Sequence, residues 1–117
     1  DTKGKYGQTP LLCAAQKGYT VVIKLLLETG EVDADLRDDI GQTPLSWAAQ
    51  NGHEVVIKLL LATGKVDIDS RDIFGQTPLS RAAGNGHEVV IKLLLATGKV
   101  AINSRDYKGQ TPLSRAA

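Results

Sequence analysis

The chain has a single cysteine in 117 residues, so it cannot close an internal disulfide. The places matching Cys13 in the other copies of the repeat described below hold Trp or Arg, so neither a metal nor a catalytic role is expected of this thiol. A small, buried or half-buried side chain in a reducing compartment is expected instead. An excess of charge of either sign is also missing. Fourteen basic residues face thirteen acidic ones, and a net charge of +1 is too small a field to recruit nucleic acid or an anionic membrane. Histidine is scarce: His53 and His87 lie in different copies of the repeat, and with one cysteine they cannot supply the four convergent ligands of a zinc site. Long apolar runs are absent, none approaching the roughly 18 residues of a membrane span. The start, DTKGKYGQTP, lacks the charged-then-apolar order of a signal peptide, so an intracellular, cytoplasmic location is expected. Gly84 and Gly86 form a GNG with no third glycine, between two helical stretches and not after a strand, which excludes a dinucleotide loop. No stretch rich in Arg, Asn and Gln marks a recognition helix. The expectation is a protein that is not an enzyme and carries no cofactor and no metal.

What is present is repetition. The pentapeptide GQTPL begins at Gly7, Gly41, Gly75 and Gly109, 34 residues apart each time, and a constant period in this range marks a solenoid. In each copy a threonine (Thr9, Thr43, Thr77, Thr111) precedes a proline, the arrangement of an N-cap followed by a first helical position at which a missing N–H costs nothing. A first helix is predicted from there through the pairs Ala14–Ala15, Ala48–Ala49 and Ala82–Ala83 to a left-handed C-cap at Gly18, Gly52 or Gly86. A second helix is predicted over 20–29, 54–63 and 88–97, ending at Gly30, Gly64 or Gly98. Helices this short do not stand alone, so Val56, Leu59, Leu60 and their equivalents are expected to be buried against a neighbouring unit. The alternating stretch KVDIDSRD at 65–72 reads as an extended arm leading to a turn at DDIG, DIFG or DYKG.

A turn, TPL-x-x-A-A, G-H and V-V-x-L-L-L together, at 38–61 and again at 72–95, resemble the ankyrin repeat. The resemblance implies an all-α solenoid of stacked helix-turn-helix units with extended hairpin arms. It covers 1–117 as units 4–37, 38–71 and 72–105 with part of a fourth at 106–117, so the chain is expected to be a piece of a larger protein. The unit is one residue longer than the commonest form, and TPLH reads TPLS at Ser46, Ser80 and Ser114. In these features it is similar to the C-terminal arrays of fungal NLR-like (STAND) proteins. The resemblance also implies that His53 and His87, with Tyr19 in their place in the first unit, bind backbone at the corner between the two helices.

The copies serve as controls for one another. Between 41–71 and 75–105 only four positions differ: Trp47 and Arg81, Gln50 and Gly84, Asp67 and Ala101, Asp69 and Asn103. The two residues before GQTPL differ in every copy: Lys5–Tyr6, Asp39–Ile40, Ile73–Phe74 and Tyr107–Lys108. An unconstrained turn tip drifts to Gly, Ser, Asn, Asp or Lys, whereas these tips carry Tyr, Ile and Phe, which gain nothing from facing water. In ankyrin proteins the tips and the exposed side of the first helix line a concave groove for protein partners. The expected partner-binding residues are therefore Tyr6, Asp39, Ile40, Ile73, Phe74, Tyr107 and Lys108 at the tips and Trp47, Gln50 and Arg81 on first helices. The recurring Gln8, Gln42, Gln76 and Gln110 either meet a partner's backbone amides or solvate the groove floor. Trp47 and Arg81 serve packing or binding, two alternatives the sequence leaves open. Lys24, Lys58 and Lys92 read as a solvated convex face. Arg37, Arg71 and Arg105 are expected to pair with Asp38, Asp72 and Asp106, at about 0 to 1 kcal/mol each. The function expected is that of a monomeric module for a protein partner of unknown identity, without nucleic acid or membrane. The alternative is a structural spacer or an end-to-end self-assembly element.

Overall fold

The threonine hydroxyls decide where the inner helices begin. In the computed structural model, which describes residues 4–101, 106 and 108–112 (of Lys5 the backbone alone), Oγ1 of Thr9, Thr43 and Thr77 accepts the N–H of Leu12, Ser46 and Ser80, each at 3.2 Å. Each threonine is followed by proline at the first helical position, giving α1 (Pro10–Lys17), α3 (Pro44–Asn51) and α5 (Pro78–Gly84). The first two end on the left-handed Gly18 and Gly52, as the sequence predicts. The third stops early, with Asn85 and not Gly86 as its C-cap. Gly84, in the place Gln50 holds one unit earlier, weakens that last turn because glycine loses the most backbone freedom in a helix. Thr111 and Pro112 repeat the cap sequence, but the helix predicted after them, including Leu113 and Ala116, lies outside the described residues.

The outer helices are α2 (Thr20–Glu28), α4 (Glu54–Ala62) and α6 (Glu88–Ala96). The threonine after each, Thr29, Thr63 or Thr97, donates its hydroxyl back to a carbonyl of the last turn (Leu26, Leu60, Leu94) at 2.7 to 2.8 Å. The same hydroxyl accepts the N–H two residues on, so the chain leaves each outer helix in the same direction.

Inner and outer helices form two parallel rows. Helix α3 packs between α1 and α5, α4 packs between α2 and α6, and each inner helix packs on the outer helix that follows it. The alanine pairs permit this approach: Ala14, Ala15, Ala48, Ala49, Ala82 and Ala83 are all buried. Leu11, Leu45, Ile57, Leu60, Val90 and Leu94 complete the core, each large side chain contributing about 1.5 to 3 kcal/mol through burial. Leu59, expected in this core, is half-buried, while Ile57, which the pattern did not single out, is fully buried. Val22 and Leu25, equivalents of Val56 and Leu59, are exposed, with no outer helix before α2 among the described residues to cover them.

The arms carry no strand among the described residues. Each contains a tight turn in which Asp33 or Asp67 accepts, through Oδ1, the N–H of Asp35 or Asp69. Neighbouring arms are tied by side chains: Asp35 accepts the N–H of Asp67 at 2.8 Å and Asp69 that of Ala101 at 3.1 Å.

Candidate functional site

Asp38 and Asp72 build the turns that carry the variable tips. Oδ1 of Asp38 accepts the N–H groups of Ile40 (3.1 Å) and Gln42 (3.0 Å), while the Asp38 carbonyl accepts that of Gly41 at 3.0 Å. Oδ1 of Asp72 does the same for Phe74 (2.9 Å) and Gln76 (3.0 Å), and Asp106 does so for Lys108 and Gln110. Adjacent tips are then joined through backbone, Asp39 N–H to the Tyr6 carbonyl at 3.1 Å and Ile73 N–H to the Ile40 carbonyl at 3.0 Å. Glycine suits this seam, since Gly41 sits at φ 79° and a Cβ there would press on the Asp72 backbone at 3.0 Å. The tips therefore form one continuous edge, on which Tyr6 is 68%, Ile73 55% and Phe74 52% exposed.

The second carboxylate oxygen of each aspartate takes a side-chain hydrogen bond from the inner helix. Trp47 Nε1–H donates to Asp38 Oδ2 at 2.8 Å, and Arg81 Nε–H donates to Asp72 Oδ2 at 2.9 Å, with a second, shorter guanidinium contact to the same oxygen. Both residues brace the turn of their own unit from the inner helix, and both are half-buried. The first unit has Gly4 where the others have aspartate and Cys13 where they have Trp or Arg, so brace and acceptor are lost together. Cys13 is consequently exposed, not buried as expected, and its thiol reaches Gln8 Oε1 at 3.6 Å. The aspartate-to-donor spacing of nine residues, present in the sequence at 38/47, 72/81 and 106/115 and lost from both ends in the first copy, was the available signal.

The anticipated pairing of Asp38 and Asp72 with the preceding arginines gives way to these braces, because Oδ1 is taken by the turn and Oδ2 faces the inner helix. Arg37 instead donates to the carbonyl of Arg71 in the next unit at 2.8 Å. Arg105 lies outside the described residues.

The glutamine row divides. Gln42 is 2% exposed, its Oε1 accepting from Ser46 Oγ and its Nε2 donating to Gln50 Oε1, each at 3.2 Å. Gln76 is also buried; Gly84 stands in the place of Gln50, which takes the Nε2–H of Gln42 in the unit before, and among the described residues the Gln76 Oε1 has no hydrogen-bond partner. These two support the surface from beneath. Gln8 is half-buried, with Nε2 3.4 Å from Asp38 Oδ2, and Gln110 is exposed beside the exposed Lys108. Tyr107 lies outside the described residues.

Between the first two tips lies an open recess of about 410 Å³. Tyr6, Ile40 and Trp47 line it together with Gln8, Cys13, Gln16, Asp38 and Asp39. Tyr6, Gln8, Asp39, Ile40 and Trp47 of the predicted set are thus brought together, with Cys13, Gln16 and Asp38 as neighbours that the sequence did not single out as binding residues. Ile73, Phe74 and Arg81 form a second group, in which the Arg81 guanidinium stands 5.8 Å from the Phe74 ring centre. Lys24, Lys58 and Lys92 are all exposed on the outer helices, away from both groups.

At the far edge, His53 Nε2–H donates to the Gln16 carbonyl at 3.0 Å and His87 Nε2–H to that of Gln50 at 2.8 Å, each tying a unit to the one before. A Cβ on Gly18 would meet His53 Nδ1 at 2.6 Å, so that corner admits only glycine.

A helix pair capped by Thr-Pro, a turn closed by aspartate and an imidazole locking each corner to its predecessor recur in every described unit from the second on. The family model of ankyrin repeats (3 copies) matches residues 1–72 and 56–117. The chain belongs to the ankyrin-repeat family. No curated protein matches it. Ankyrin repeats are in general protein–protein interaction modules and in general not catalytic. Among the described residues of this ankyrin array, no group of three or more His, Cys, Asp or Glu side chains is placed to hold a metal, and no helix is long and apolar enough to cross a membrane.

Proposed function

We propose that this ankyrin array is a non-catalytic module that binds a protein partner along the edge made by its turn tips and the adjoining face of the inner helices. The observation that carries the reading is the row of exposed Tyr6, Ile73 and Phe74 on backbone-linked turns, where large apolar side chains gain nothing from water. Aromatic and arginine side chains are those enriched at binding hot spots. Asp39, Ile40, Trp47, Gln50, Arg81, Lys108 and Gln110 border the same edge, and Tyr107 belongs to the proposed set by its place in the repeat. The module acts as a monomer in the cytoplasm, where a reducing environment keeps the exposed Cys13 thiol free.

The test uses the array as bait and compares it with a variant carrying Tyr6→Ser, Ile40→Ser and Phe74→Ser. The proposal expects the recovered partner to be lost from the variant, while a control with Lys24, Lys58 and Lys92 changed to Ser keeps it. The reverse pattern places binding on the outer helices and overturns the reading. End-to-end assembly is a second reading, supported by exposed Val22 and Leu25 at one end and Leu95 at the other. A molecular mass in solution that rises with concentration would favour it.

A further inference from the structure

An amide present in the second unit is missing from the third. In the second unit the carboxamide of Gln42 is engaged at both ends, Oε1 accepting from Ser46 Oγ and Nε2 donating to Gln50 Oε1, each at 3.2 Å. With these partners Gln42 is 2% exposed. Gln76 holds the same place in the third unit, but Gly84 stands where Gln50 stood and offers no side chain to it. Gln76 is 9% exposed, and its Oε1 is buried without a hydrogen-bond partner among the described residues. A buried acceptor with no donor keeps the cost of having left water, which a donor arriving with a partner removes. The backbone at this point is fixed. Asp72 Oδ1 accepts the N–H of Gln76 at 3.0 Å and that of the exposed tip residue Phe74 at 2.9 Å, so the carboxamide is held two residues from the binding edge. Gly84 itself is exposed, which leaves the place of the missing amide open to solvent.

We propose that the partner protein places a glutamine side chain beside Gly84, where it takes the part of Gln50 and pairs its carboxamide with that of Gln76. The proposal rests on the tip-edge reading above and names one anchor of the partner. Hydrogen-bond capacity selects the occupant. The Gln76 carboxamide calls for an acceptor at Nε2 and a donor at Oε1, and a second carboxamide presents both in one plane. A carboxylate brings no donor, a lysine or arginine brings no acceptor, and an apolar side chain brings neither. Gln42 and Gln50 show the same pair formed inside the chain one unit earlier.

The intact, isotope-labelled chain is titrated with a capped pentapeptide holding one glutamine among glycines, and with the same peptide holding glutamate, leucine or a further glycine in its place, while NMR follows the Nε2 amide protons of Gln76. A saturable shift is expected with the glutamine peptide, at a Kd about fivefold to tenfold below that of each counterpart. Gly84→Gln supplies the amide from within the chain, so it should move the Gln76 resonances before any peptide is added and should remove the preference. Ala96→Gln, at an exposed position on an outer helix, should leave the preference intact. Equal binding of the glutamate or leucine peptide, a preference that survives Gly84→Gln, or no saturable shift with glutamine overturns the proposal. Equal binding of the all-glycine peptide also overturns it, by assigning the contact to peptide backbone. None of these results bears on whether the tip-serine variant loses its partner, so the two readings fail separately.

Discussion

Trp47 and Asp38, nine residues apart, meet at 2.8 Å through the indole N–H and one carboxylate oxygen, while the other oxygen of the same carboxylate closes the turn that carries Ile40. Binding edge and inner helix are therefore mechanically one piece, and a change at position 47 is felt at the tip.

Trp47→Phe keeps most of the packing and removes the donor. It should cost about 1 to 3 kcal/mol, the penalty for leaving a buried charged acceptor short of a partner. Trp47→Arg, which reproduces the third unit's brace, should cost less than Trp47→Phe. Urea denaturation followed by circular dichroism orders the two, and equal losses would show that the hydrogen bond does not contribute.

The first turn lacks the aspartate, and its tip residue Tyr6 sits at φ 64°, a left-handed conformation that no other described non-glycine residue adopts. Gly4→Asp should supply the missing acceptor for the backbone N–H groups of the turn and raise stability by about 1 kcal/mol. Adding Cys13→Arg to that variant should stabilise it further, whereas Cys13→Arg alone should not. Melting temperatures of the two single variants and the double variant measure the coupling.

Glycines at the helix corners differ in what surrounds them. Gly52 and Gly86 share a left-handed φ, but a Cβ on Gly52 would meet His87 Nδ1 at 2.7 Å, whereas one on Gly86 meets nothing within 4 Å. Gly86→Ala should cost about 1 to 2 kcal/mol for the backbone alone. Gly52→Ala should cost at least about 1 kcal/mol more, because the imidazole must leave the Gln50 carbonyl. Equal costs in denaturant titrations would mean that this inter-unit bond is not under tension from its neighbour.

Burial pushes the Asp35 carboxyl above its ordinary range, helped by the nearby charges of Asp67 and Asp33 and opposed by the Asp67 N–H bond and by Arg37. Its Oδ1 is buried without a hydrogen-bond partner among the described residues. A raised folded-state pKa means that the protonated form is favoured by folding. The associated stability is present below the ordinary aspartate value of about 3.9 and is lost as the pH rises through the folded value. Asp35→Asn should therefore raise the melting temperature at pH 7 by more than at pH 3. A difference that grows on acidification would contradict this assignment.

Much of the architecture was legible in the residues. The 34-residue period, the Thr-Pro caps, the corner glycines and the tight helix pair all depend on groups within a few residues of each other, and such contacts follow from local rules. The histidine at each corner was legible through the family resemblance. The site was legible in part: differences between copies picked out the tips and positions 47, 50, 81 and 84. They did not separate Gln42 and Gln76, which are buried, from Gln8 and Gln110, because one glutamine in a repeated pentapeptide looks like any other.

Local sequence marked TVVIKLLLE and EVVIKLLLA as helical segments. Only the stacking of units decided what those helices bury. Val22 is 43% exposed and Val56 1%, although both stand at the same place in nearly the same nine residues. The difference is a neighbour: α4 has α2 beside it, and among the described residues no outer helix precedes α2. The braces at Trp47 and Arg81 were decided the same way, since the turn must fold back over the inner helix before a donor nine residues away can reach the carboxylate. Burial and long-range hydrogen bonds belong to pairs of elements, and a pair exists only once the chain has folded.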